Sequence, residues 1–183
     1  MRKITDYRIV ISENASENEK RAAAFLRDNI RLVCGAIIPT VPDSQTPCDN
    51  EIVVGKTSRE LYDGLNINRY RDNTSGGVWE YVIRTVNNRL YVTGLGTAPE
   101  VEPPYTTAYR HMDDGMIGTV MAAYHFVEEV LGYQFLYSSY LDIPVNPDAV
   151  IPDNYNYDFT RESLRSKEPQ LYNGAAFYCL HGA

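Results

Sequence analysis

The chain has 183 residues, enough for one domain with a sizeable core and a short further piece. Its net charge of −7, with 17 Lys and Arg scattered along the sequence, argues against a nucleic-acid backbone or an anionic membrane surface as a partner. Three cysteines, Cys34, Cys48 and Cys179, have neither metal-ligand spacing nor an even count, which argues against a disulfide framework or a zinc knuckle. No apolar run approaches the roughly 18 residues of a membrane span. The N-terminus passes from Met1-Arg2-Lys3 straight into a strand pattern without an apolar leader. The expected location is therefore the cytoplasm, or the exterior with a leader already removed.

In chain order, Tyr7 to Ser12 sets Tyr7, Ile9 and Ile11 against Arg8, Val10 and Ser12, the alternation of a strand with one strongly apolar face. Ser16 and Glu19 have the spacing of a capping box, so a helix starts there. Ala22, Ala23, Leu26, Ile30, Val33 and Cys34 form its buried stripe and Gly35 its stop. A loop marked by Pro39, Pro42 and Pro47 leads to Glu51-Ile52-Val53-Val54, a short strand apolar enough to be covered on both sides. Strand, helix and strand in this order predict a parallel crossover. Gly55-Lys56-Thr57 has the look of the end of a phosphate-binding loop, but Asn50 stands where that motif needs its first glycine.

Residues 59–80 are polar and turn-rich, with a short helix expected near Arg59 to Tyr62. A hairpin follows. With Asn87-Asn88 as a two-residue turn, Tyr81, Ile83, Thr85, Leu90 and Val92 share one face, and Arg84, Val86, Arg89, Tyr91 and Thr93 the other. Gly94 and Gly96 open a connection whose glycines suit close packing or a turn better than an anion site. That connection, residues 98–116 (APEVEPPYTTAYRHMDDGM), is too long for an ordinary loop and is the best internal candidate for a contact surface.

The chain is organised around Met116 to Ser139, which reads as an amphipathic helix running through a glycine into a strand. Ile117, Val120, Met121, Tyr124, Val127 and Leu131 make its apolar stripe, widened by Ala123, Phe126 and Val130. Gly118, Ala122, His125 and Glu129 fall opposite. Gly132 is the expected left-handed stop, and the strand Gln134 to Tyr137 is expected to re-enter the sheet below the helix. Tyr155 to Phe159 suits an edge strand. Thr160 onward is a polar connector to an apolar segment, Gly174 to Leu180, that calls for a partner.

Taken together, the capped first helix, the Glu51-to-Gly55 and Arg89-to-Gly94 strands and the Thr119-to-Tyr137 helix–strand unit resemble a known accessory domain. It is the N-terminal non-catalytic domain that precedes the barrel in family 20 β-hexosaminidases, family 67 α-glucuronidases and family 84 hexosaminidases. The resemblance covers residues 7–160 and is one of pattern, its most specific part being Thr119-x-x-x-Ala123-Tyr124-x-Phe126 followed by Leu131-Gly132. It implies an α+β two-layer sandwich with a mixed sheet of about five strands and two main helices on one face. It also implies an accessory domain over residues 1–159, with 160–183 as linker and start of a catalytic barrel in the same polypeptide. No catalytic residue, metal or cofactor carries over to this chain, because the carboxylates of such enzymes lie in the barrel. Residues 98–116 depart from the family pattern as an insertion.

Two alternatives stand beside this reading, the first of which uses that insertion. In the first, Arg110, His111, Asp113 and Asp114 bind a metal or act as general acid and base, against the plainer reading of a solvated polar turn. In the second, the chain is a carbohydrate-binding module in which Trp79, Tyr105 and Tyr109 stack on sugar rings. The 15 tyrosines otherwise belong largely to core faces, as Tyr81 and Tyr124 do.

Overall fold

A computed structural model of the protein describes residues 2–71, 80–96, 118–137 and 140–160. At its centre is a six-stranded mixed sheet flanked by helices, an α+β fold. In chain order the elements are β1 (Arg2–Lys3), β2 (Arg8–Ile11), α1 (Glu17–Cys34), β3 (Thr40–Pro42), β4 (Glu51–Val54), α2 (Arg59–Tyr62), β5 (Tyr81–Val86), β6 (Arg89–Gly94), α3 (Gly118–Glu129), β7 (Gln134–Tyr137), β8 (Tyr140–Asp142), β9 (Val150–Ile151) and β10 (Asn156–Phe159). The sheet order is β10-β5-β6-β4-β2-β3, with β6, β4, β2 and β3 parallel and β5 and β10 antiparallel to their neighbours.

The strand alternation sorts the two faces. Ile9, Ile52, Val54, Ile83, Leu90 and Val92 point into the main core beneath α1 and α3. Val53, Val82 and Tyr91 point the other way, into a smaller cluster closed by Ile67 and Tyr70. The hairpin has the expected register, Tyr81 facing Gly94 and Val86 facing Arg89. Asn87 and Asn88 both have positive φ, 47° and 66°, as a two-residue turn matched to strand twist requires. Helix α1 begins at the capping box and ends at Gly35, whose φ of 71° places it in the left-handed region.

Four features differ from the sequence reading. The loop after α1 contains β3, an edge strand pairing in parallel with β2, so the sheet has six strands and not five. Its three residues end in a proline, which is tolerated at a sheet edge and leaves too short a run to show a period. Strand β7 does not enter the main sheet but forms a separate two-stranded ribbon with β8. Gly118 and Ala122 are buried, because α3 lies against α1 as well as β5 and β6 and so buries more than one stripe. Finally, α1 and α3 share one face as expected, but the other face is also covered, by the turn at Asn68–Arg71 over the smaller cluster.

The tight approach of α3 to the sheet rests on glycines. A Cβ on Gly118 would stand 2.2 Å from the Glu80 carbonyl oxygen, and one on Gly94 would stand 2.6 Å from the Gly118 carbonyl carbon. The Thr119 hydroxyl uses this proximity, donating to the Gly94 carbonyl at 3.0 Å and accepting from its amide at 3.1 Å.

Candidate functional site

The four parallel strands end side by side, and the segments leaving them surround an open cleft of about 610 Å³. From β2 the chain crosses through α1 to β3 on one side, then returns to β4 on the other. The cleft thus sits where the strand order reverses, the place at which open α/β sheets offer a crevice to ligands. Ser12 and Asn14 follow β2, Ser16 and Glu19 open α1, and Asp43 follows β3. Lys56, Thr57 and Ser58 follow β4, and Leu95 and Gly96 follow β6.

Two carboxylates hold the lining together. Glu19 accepts from the Ser16 amide at 2.8 Å, completing the capping box, and from the Lys56 amide at 2.8 Å. It is nearly buried because Gly55 and Gly96 admit it: a Cβ on either would come within 2.2 Å or 2.7 Å of its carboxylate. Ser16 in turn accepts from the Glu19 amide and donates its hydroxyl to the Gly96 carbonyl at 2.6 Å, tying α1 to the end of β6. Asp43 accepts from the Glu13 amide at 3.2 Å and the Ser58 amide at 2.8 Å. We expect Ser16→Ala to cost about 1–2 kcal/mol, a fall of about 3–6 °C in thermal midpoint by calorimetry. A variant that melts with the parent would remove Ser16 from this role.

The Gly55-Lys56-Thr57 stretch is not a phosphate cradle. Successive amides from Gly55 to Arg59 are committed to the Val92 carbonyl, Glu19, Glu60, Asp43 and the Thr57 hydroxyl. None is left to form a nest for an anion.

A second polar cluster lies on the α2 face, at the strand starts. Pairing places Arg8, Glu51 and Arg89 in one row across β2, β4 and β6. Glu51 has no exposed side-chain surface, and accepts from Arg8 Nε at 3.0 Å, Arg59 Nε at 2.8 Å and Arg89 Nε at 2.9 Å. Arg59 also donates to the carbonyls of Asp43 and Gln45, and Arg89 to Asp63 at 2.7 Å. Tyr91 donates to Asp63 and lies 2.9 Å from the Arg59 carbonyl. Burial alone pushes the Glu51 carboxyl up, but hydrogen bonds from Arg59, Arg8 and Arg89 outweigh it and hold it below its ordinary value. Desolvation and Asp63 push the Tyr91 phenol well above its ordinary value, so it stays protonated. This cluster is closed and joins strands to α2; its place is in the framework.

Trp79, Tyr105, Tyr109, Arg110, His111, Asp113 and Asp114 lie outside the described residues. Among the described residues no group of three His, Cys, Asp or Glu side chains is placed to hold a metal, and no helix is long and apolar enough to cross a membrane. The reading of the sequence missed both Glu51 and the cleft. The signal for Glu51 was there: three strands each open on a charge, Arg8, Glu51 and Arg89, before an apolar run. The cleft had no such signal, since its residues come from four stretches far apart in the sequence.

No protein-family model matches the chain, and no curated protein matches it. Among solved structures, it is similar to a family GH115 4-O-methyl-α-glucuronidase with specificity for decorated arabinogalactans. The superposition has a TM-score of 0.53 at 11% identity and covers 84% of this chain. What this likeness shows is the fold. It is a fold found within a glycoside hydrolase, one of family 115, where the sequence resemblance named families 20, 67 and 84. The chain spans 17% of that protein's length, so most of the enzyme has no counterpart here.

Proposed function

We propose that this chain is a non-catalytic accessory domain of a carbohydrate-active glycoside hydrolase, supporting a catalytic barrel in the same polypeptide. The observation that carries the reading is the match of 84% of this chain to a small part, 17%, of a glycoside hydrolase. The internal design is consistent with it. Among the described residues, the densest charge cluster, around Glu51, is turned inward as framework. The division proposed is an accessory unit over residues 1–159 and a linker with the start of the barrel over 160–183. Strand β10, the last element of the described residues, lies at the edge of the six-stranded sheet.

The test is to follow the reading frame past Ala183 and assay both products. The expected result is a continuation of roughly 250 residues or more, the size of such a barrel. The longer polypeptide is expected to cleave chromogenic glycosides, and residues 1–183 alone to leave them intact. A stop codon after Ala183, or hydrolysis by the short chain at the rate of the long one, ends this proposal.

A further inference from the structure

We propose that the cleft at the ends of the parallel strands takes an uncharged, polyhydroxylated ligand, a sugar unit, whose hydroxyls donate to Glu19 and Asp43 and accept from Lys56 and Asn14. The volume of about 610 Å³ lies within the range of small-molecule sites. The chemistry of the lining selects the class of ligand. Each oxygen of Glu19 and Asp43 takes one backbone N–H and keeps a lone pair, so both carboxylates are fixed acceptors facing the cleft. The same lining holds donors: the Lys56 ammonium, the Asn14 side-chain amide, and the Ser12 hydroxyl, which accepts from the Asn14 amide and keeps its proton to give.

An anion is disfavoured on two counts. Two carboxylates outweigh one ammonium in the lining, and the amides from Gly55 to Arg59 are already committed. A metal is disfavoured because the described residues offer no three-ligand group. A sugar carries paired donors and acceptors on adjacent carbons and needs no net charge opposite it. Leu95 is the one large apolar side chain in the lining, the place for a sugar's apolar ring face.

The inference rests on the accessory-domain reading only for where the sugar comes from. To test it, the 183-residue chain is titrated with D-galactose and D-xylose, and separately with glucuronate and inorganic phosphate, while amide resonances are followed by NMR. We expect the neutral sugars to shift the amides of Asn14, Lys56 and Ser58 with millimolar affinity. Asn14→Ala and Lys56→Met, both at exposed positions, should each weaken binding about fivefold, the loss of one hydrogen bond. Shifts confined to glucuronate or phosphate would make the cleft an anion site and overturn the proposal. Absence of shifts at about 50 mM sugar, where even weak sites fill, also overturns it. A reading frame that stops at Ala183 while sugar still binds would sink the accessory reading alone. A barrel that follows an inert cleft would sink this inference alone.

Discussion

Glu51→Gln is expected to lower stability by about 3–5 kcal/mol, the cost of breaking a buried ion pair while leaving its partners in place. The variant leaves Arg8, Arg59 and Arg89 converging on a neutral amide, with Asp63 as the remaining carboxylate within reach of Arg89. In a domain of this size that is a fall of roughly 10 °C in thermal midpoint. The parent should also show an acid dependence that the variant loses. Glu51 ionises below its ordinary value of 4.5 in the folded state, so its contribution is complete above pH 4.5 and fades as the pH falls through the lower folded value. Urea melts at pH 7 and pH 3 measure both effects. Equal loss of stability in the two proteins between those pH values would assign the acid sensitivity to other groups. Glu17 and Asp148 have carboxyls lowered by Lys20 and Lys3 respectively, but they lie in open solvent and contribute little.

Gly118→Ala is expected to cost about 3 kcal/mol, although alanine is the better helix former by about 1 kcal/mol. The new Cβ would lie 2.2 Å from the Glu80 carbonyl oxygen and 3.0 Å from the Leu95 amide nitrogen. Both atoms are backbone, so relief requires α3 to lift from β5 and β6, opening the core at Val120 and Ala123. Gly35→Ala is the control. It meets no atom within 4 Å, and its φ of 71° costs only about 1–2 kcal/mol of left-handed strain. Denaturant melts that rank the two variants the other way would show that α3 has room to move.

Much of this architecture was legible in the residues. The capping box, the stop at Gly35, the hairpin register and the buried stripe of α1 all follow from local spacing, and the structure has each of them. What escaped depended on distant segments. Three residues of β3 have meaning only once β2 lies beside them, and β7 reads as a sheet strand because its partner β8 is just three residues long. Gly118 and Ala122 look like a weak face until α1 and the sheet both close on them. The Arg8–Glu51–Arg89 row is set by parallel pairing, which no short-range pattern encodes. For the site, Glu19 was read as a cap and is one. Its second role, holding Lys56 at the cleft, depends on β4 arriving beside α1.

The clasp between the two ends of the described fold sets when folding can finish. Strand β1 pairs with β9, Arg2 opposite Ile151 and Lys3 opposite Val150, while the Ile4 amide reaches the Ala149 carbonyl at 2.9 Å. Strand β5 likewise waits for β10, whose first residue is Asn156. On the ribosome, β2, α1 and β4 emerge early and can form the crossover, but the unit closes only after residue 159 has left the exit tunnel. Folding of this kind, dominated by long-range pairing, is slow and leaves open edges exposed to other chains meanwhile. The pace of translation between codon 159 and the point at which that residue clears the tunnel therefore bears on the yield of folded protein.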